Sequence, residues 1–547
     1  MDVMTSQPSE LNLDVLGTIC AFLTEYPDLL AISLTCSALH PVAIRNMLKN
    51  RPVVLKRADV ILKFHDFVFS DAPTRLHHLT ALEIGVTDDE TRPECSERAI
   101  DSLLAILKSA PSLVSLALRS SAWDLSLGYI DDPRIPAAVG ELANLRVLTI
   151  IGRTEVVDFI GAVRSPLTKL AISYMDPAGR TEWSLTSSLS HVAASLESLT
   201  IDYSDVRLVG RPPDSLSRLT QFCALRSLTL SSLVGVPRLL VLLELFPNLN
   251  GTLHLVRYPD RYEDEELQTY NSFKETREQN ATAQERQSWK RLERLICNAE
   301  MLFALNLRSQ IGLTVIHSCS TDTTVRKCLV ESLREHPPAR LNLQVPLSRG
   351  LEAPFSGMIP PEAAATLTHL TLCIVYRYNI QYPTSVPPME WDVLWRDTLL
   401  LALQNLPCLT HLRFVFHCET WKDEEVMSED PFLNDLRPAS FDFVAVASAI
   451  VDVIPSLRYC FLTTSAWVAH MIGFATFSIA ERWCESHAWR IATNGDTEAA
   501  SGASRELVEL HNGVAETIIQ NEDLILSKGE EASVLSNDVV FLKLGLH

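Results

Sequence analysis

The chain is short of positive charge, of glycine and of closely spaced cysteine pairs, and each shortage removes a class of function. Lys and Arg number 47 against 67 Asp and Glu, a net charge of −20. A general binder of nucleic acid or of an anionic membrane surface sets clustered cations against phosphates, and the balance here runs the other way. Nineteen glycines in 547 residues, none spaced as G-x-G-x-x-G, give no backbone cradle for a nucleotide. A G-x-S-x-G elbow and an H-E-x-x-H helix are also missing. The twelve cysteines include no C-x-x-C pair, and the first ten residues are polar and acidic rather than basic and then apolar. Free thiols in a reducing setting, cytoplasmic or nuclear, are therefore expected, and the Asn-x-Thr triplets at Asn250 and Asn280 carry no glycan meaning. The uncharged stretch from Tyr459 to Ala480 is long enough to span a bilayer, yet Thr463, Thr464, Ser465 and His470 dilute it. A buried strand plus helix is expected there, and no membrane association.

What the chain has in excess is leucine: 82 residues, within a hydrophobic share of 47%. That share excludes wholesale disorder and allows a large core. The leucines are also placed. Leu-x-x-Leu-x-(Leu/Ile) recurs at Leu79-Leu82-Ile84, Leu113-Leu116-Leu118, Leu145-Leu148-Ile150 and Leu167-Leu170-Ile172. It continues at Leu196-Leu199-Ile201, Leu225-Leu228-Leu230, Leu302-Leu305-Leu307 and Leu367-Leu370-Leu372. Looser copies are Leu249-Leu253-Leu255, Leu341-Leu343, Leu409-Leu412-Phe414 and Leu457-Cys460-Leu462. Alternate residues of a short strand, such as Leu116 and Leu118, would point into one core, with the preceding leucine closing the turn. Between copies run helical stripes, such as Ile100, Leu103, Leu104 and Leu107, then Leu239, Leu240, Leu243 and Phe246, and a third over Leu394 to Leu406. One strand-turn-helix unit cannot bury its own apolar face, whereas stacked units can.

The spacing resembles the leucine-rich repeat, over roughly Arg75 to Leu462. First leucines lie 34, 32, 22, 29, 29 and 24 residues apart and then 53, wider than the usual 20–29 of that class. The expected fold is thus an α/β solenoid, an irregular leucine-rich-repeat horseshoe. Long insertions are placed at 257–291, highly charged, and 350–365. At the N-terminus, Leu13, Leu16, Ile19, Cys20 and Leu23 share a helical face, Pro27-Asp28 restarts a second helix with Leu29, Leu30, Ile32 and Leu34, and Pro41 opens a third. Three short helices cannot hide that much apolar surface among themselves. Leu13-Asp14-Val15-Leu16, Ile19, Phe22-Leu23, Asp28-Leu29-Leu30, Ser33-Leu34-Thr35-Cys36 and Leu39 resemble the F-box, and Val53-Val54-Leu55 with Phe64 to Phe69 is similar to the bridge of fungal F-box proteins with irregular leucine-rich repeats. The division is then a small three-helix F-box-like head over 1–50, a bridge over 51–74, the repeat array over 75–465, and a C-terminal cap and tail over 466–547. The resemblance implies that Leu13, Leu16, Ile19, Leu29, Leu30 and Leu34 contact a Skp-type adaptor, and through it a cullin–RING ubiquitin ligase, while the array holds a substrate protein. The alternative is a scaffold without any ubiquitin link, its N-terminal helices capping the array.

Chemistry-bearing clusters are sparse. Cys408-x-x-His411 followed by His417-Cys418 offers zinc-type ligands, but strand alternation separates such positions. The acidic runs at 88–90, 263–266 and 423–425 lack calcium-loop spacing. Trp391 and Trp395, four apart, read as core. Leu507, Leu510 and Val514 suggest a helix in the tail, and Val539-Val540-Phe541-Leu542 a segment that docks back on the array. No catalytic residue, cofactor or metal is expected.

Overall fold

A computed structural model of the chain describes residues 13–526 apart from 24, 36, 86–92, 120–131, 153–155, 175–187, 204–219, 234–235, 258–269, 318–322, 348–354, 356, 380–389, 423–430, 472–476 and 494–504. The architecture is α/β, and the chain divides into two compact units: residues 1–234 with 244–249, and residues 235–243 with 250–547.

The first unit begins with α1 (Leu13–Phe22), α2 (Tyr26–Thr35) and α3 (His40–Asn50), the last opened by Pro41 in its first turn. Then come β1 (Val53–Leu55), α4 (Ala58–Phe69) and six more strands: β2 (Ala81–Gly85), β3 (Ser115–Arg119), β4 (Val147–Gly152), β5 (Lys169–Tyr174), β6 (Ser198–Tyr203) and β7 (Ser227–Leu233). All seven pair in parallel, in chain order. The leucine spacing is the register. Leu82, Leu116, Leu148, Leu170, Leu199 and Leu228 stand side by side, as do Ile84, Leu118, Ile150, Ile172, Ile201 and Leu230 two positions on. Each is 0–2% exposed. Burying a leucine stabilises by about 1.5–3 kcal/mol, so these two ladders dominate the packing. Because β1 pairs with β2, the sheet starts inside the expected bridge and ahead of residue 75.

The second unit holds β8 (Thr252–Arg257), β9 (Arg291–Cys297), β10 (Gln310–Ile316), β11 (Arg340–Leu347), β12 (His369–Asn379), β13 (His411–Lys422) and β14 (Tyr459–Met471), all parallel. Two antiparallel strands follow, β15 (Phe477–Thr493) and β16 (Arg505–Glu509). The uncharged stretch is therefore β14 and the start of β15 rather than a strand plus helix. Among the described residues no helix is long and apolar enough to cross a membrane.

Two expectations need correction here. Leu302 and Leu305 lie in a helix, Ala299–Leu305, closed by Asn306 in the left-handed conformation at φ 47°. Leucines three apart share a helical face as well as they flank a strand entry, so the spacing alone misled. The strand inside the wide gap is β9, with Leu292, Leu295 and Cys297, and the strand after the misplaced copy is β10, where Thr314 and Ile316 stand beside Leu341 and Leu343. Cys297 and Thr314, 0% and 4% exposed, take places where leucine was sought. Gly312 of β10 meets β9 closely: a Cβ there would lie 2.6 Å from the Glu293 carbonyl oxygen.

The charged 257–291 segment contains a helix, Tyr270–Arg286, whose inward face sets three polar residues beside Phe273 and Ala283. Arg277, Asn280 and Gln284 are buried and spend their donors on the last carbonyls of helix Ala299–Leu305. Arg277 Nη1 donates to Phe303 O at 2.6 Å, Asn280 Nδ2 to Ala304 O at 2.9 Å, and Gln284 Nε2 to Asn306 O at 2.9 Å. A helix C-terminus leaves four carbonyls without intrahelical partners, and one neighbour here satisfies them with side chains spaced three and four apart. Trp391 and Trp395 stack at 5.6 Å, and Trp391 packs edge-on against Phe416 and Phe441, as a core pair should. In the tail Leu507 belongs to β16, not a helix; Val514 lies in helix Asn512–Asn521, and 539–542 falls outside the described residues.

Candidate docking surface

The N-terminal helices expose what they should hide. α1 and α2 both pack on α3, which buries Ala43, Ile44, Met47 and Leu48. α1 contributes Cys20 to that core, and α2 contributes Leu29 with Ser33. Six further apolar residues face solvent in two stripes. Val15, Ile19 and Phe22 follow i, i+4, i+7 along α1; Tyr26, Leu30 and Leu34 follow i, i+4, i+8 along α2. Phe22 is 80% exposed and Leu34 77%. Single exposed leucines are ordinary. These six, however, make up nearly half of the thirteen exposed large apolar residues among the described residues, and they sit within twenty positions. Clustering of that kind marks an interaction surface.

Of the six residues expected to make contact, Ile19, Leu30 and Leu34 lie on these stripes, and Leu16 is half-buried. Leu29 corrects the expectation: at 1% exposure it holds α2 on α3 and offers no surface. Leu29 and Leu30 are adjacent, so a helix that buries one turns the other outward. The side chain of Leu13 lies outside the described residues. Val15, Phe22 and Tyr26 were missed, although their spacing of three or four residues from Ile19 and Leu30 was the available signal. No family model matches this chain, and no curated protein resembles it in sequence.

A second surface is the strand face opposite the leucine ladders. In the second unit the chain's own C-terminal segment covers it. Helix Asn512–Asn521 packs Ala515 and Ile519 with Phe461 and Ala488. It ends at Asp523, in the left-handed conformation at φ 56°, with Leu524 N donating back to Ile519 O at 2.9 Å. The segment then crosses the strands as an extended guest. Arg413 Nη1 donates to Leu524 O at 2.8 Å, Asn342 Nδ2 to Ile525 O at 3.1 Å, and Leu526 joins Cys373, Val375 and Val415. Asp523 pairs with Arg294 at 3.0 Å and with Arg340 at 3.3 Å, while Glu522 meets Arg340 at 3.4 Å and His369 at 3.1 Å. Asn342, Thr371 and Arg413 are consequently 1–4% exposed, on a face that in the first unit is half-open.

Titratable groups on this face answer to burial. It pushes His411 down to about 4 and His369 below its usual range. Away from this face, burial pushes the thiols of Cys328, in helix Thr323–Glu335, and Cys460, on the leucine side, up to about 12, so they pack as small apolar groups rather than nucleophiles. The Cys408–His411–His417–Cys418 group does not converge: Cys408 is exposed, His417 is held by Ser465 Oγ at 2.8 Å, and Cys418 points to the leucine side.

Proposed function

We propose that the chain is a non-catalytic substrate-recognition adaptor of a Skp–cullin–F-box type ubiquitin ligase. In this reading α1 to α3 are an F-box-like head that docks on a Skp-type adaptor. The strands and helices behind them form an irregular leucine-rich-repeat solenoid that holds a substrate protein. The observation that carries it is the pair of solvent-facing stripes, Val15–Ile19–Phe22 and Tyr26–Leu30–Leu34, on helices whose other faces are already packed. Branched and aromatic anchors of this kind concentrate interface energy.

The test is titration of the full chain with a purified Skp-type adaptor. The wild type should bind one to one, and Ile19→Asp combined with Leu34→Asp should weaken binding at least about 100-fold, at roughly 1.4 kcal/mol or more per anchor. Both side chains are exposed, so the thermal midpoint should not move. A wild type that fails to bind, or a double variant that binds equally well, overturns the reading.

A second reading, a scaffold whose N-terminal helices serve as a cap, is favoured by one contact: α3 is tied to the sheet. Thr80 N donates to Leu48 O at 3.3 Å and Thr80 Oγ1 to Lys49 O at 2.7 Å. Deleting residues 1–50 would therefore damage the first unit under either reading. Only variants confined to the exposed stripes separate the two.

A further inference from the structure

His369 of β12 and His411 of β13 are register partners, and their rings stack at 4.3 Å, 6° from parallel. Tyr459, the next register partner on β14, continues the stack at 4.9 Å from His411. The threonine before each histidine engages its Nδ1: His369 Nδ1 lies 2.8 Å from Thr368 Oγ1 and His411 Nδ1 2.9 Å from Thr410 Oγ1. Each hydroxyl also reaches a carbonyl of the preceding turn, Thr368 Oγ1 at 3.0 Å from Ala339 O and Thr410 Oγ1 at 3.0 Å from Thr368 O. With Nδ1 so engaged, Nε2 is the ring atom each histidine has to offer a ligand.

The second nitrogen of His369 faces a carboxylate: Nε2 lies 3.1 Å from Glu522 Oε2. The ligand atoms of His369, His411 and Glu522 all lie within 4.8 Å of one another. Two imidazoles and a carboxylate form the three-ligand set of an open zinc site, with ligand bonds of about 2.0–2.2 Å and a fourth position for water. Ring nitrogens that ligate metal generally have the other N–H held by an oxygen, the part Thr368 and Thr410 play here. Arg340 approaches Glu522 Oε2 from 3.4 Å, and a carboxylate has about four lone-pair sites, enough for both neighbours.

We propose that His369, His411 and Glu522 form a site for a zinc-class divalent ion, which fastens the C-terminal segment to the strand face of the second unit. Two ligands come from the sheet and the third from the segment that covers it, so binding and docking are linked. The proposal does not depend on the functional reading above.

The test uses the full chain, stripped with a chelator and titrated with zinc chloride by calorimetry, and with cobalt(II) by visible absorption. The wild type should bind one ion per chain, with the intense visible bands of tetrahedral cobalt, and the ion should slow proteolysis of the C-terminal segment at least about tenfold. His411→Ala and Glu522→Gln should each weaken binding at least about tenfold, the second by a change at a half-exposed position that leaves the sheet intact. Stoichiometric binding that survives both variants would place the metal on exposed thiols such as Cys408 and overturn the proposal. So would a folded wild type that binds no zinc at micromolar concentration; the His369–Glu522 contact would then be a shared proton.

Discussion

Two strand faces in this chain share one leucine register and carry different chemistry. Opposite the ladders of the first unit stand Ala117, Thr149, Ala171, Thr200 and Thr229, small and half-exposed. At the matching positions of the second unit stand Asn342, Thr371 and Arg413, all buried beneath the segment 522–526. The leucine side sets which strands pair and where helices pack. The other side is left free by that requirement, so among the described residues it is half-exposed in one unit and built to receive a peptide in the other.

The largest effects should be blind to the difference. Leu148→Ala in the first unit and Leu370→Ala in the second should each cost about 2–5 kcal/mol in denaturant unfolding, since both are fully buried. A clear inequality would mean the ladders are not equivalent. The faces themselves should separate sharply. Arg413→Ala removes the shorter of the two hydrogen bonds to the Leu524 carbonyl, leaving Thr371 Oγ1 at 3.3 Å, and should cost about 1–3 kcal/mol, while Thr149→Ala should stay within about 0.5 kcal/mol. Equal small losses would show that the covering segment contributes little. Asp523→Asn keeps a residue that tolerates the left-handed turn and removes the charge facing Arg294 and Arg340. Because these groups are about a third exposed, the loss should be below about 1 kcal/mol and should vanish in 1 M salt, where the Debye length is only about 3 Å. The subtlest contrast is with pH. Burial, with His317 nearby, pushes His254 of β8 down to about 4, from an unfolded value of 6.5. Its unfolded form therefore takes the proton first, and its contribution to stability is complete above 6.5 and lost as pH falls toward 4. Unfolding midpoints measured from pH 7.5 to 4.5 should fall along this limb, and His254→Gln should flatten it.

Much of this organisation was legible, for reasons that also explain the misses. Leu116 and Leu118 announce a strand because an alternating apolar pair inside a fixed spacing has few other uses. Leu302 and Leu305 defeated the same rule, since leucines three apart also build a helix face. β9 and β10 were hidden by Cys297 and Thr314, which fill leucine places without looking like leucine. At the N-terminus Ile19, Leu30 and Leu34 were legible as surplus apolar surface. Leu29 was not separable from Leu30, because an all-round apolar helix does not say which side is core. The cluster His369–His411–Glu522 joins positions 153 residues apart, and the acidic residue shows no local pattern. Only the path of the chain brings it there.

The covering segment also has a consequence in time. Arg294 and its partner Asp523 are separated by 229 residues. Synthesis at about 5–20 residues per second puts roughly 10 to 50 s between their appearances. As β9 to β13 emerge in turn within that interval, their polar side stands without its guest, with Asn342 and then Arg413 still hydrated. A nascent chain in this state presents the surface that the finished molecule conceals, and any factor that reads those arginines has its opportunity before the last residues of the segment emerge.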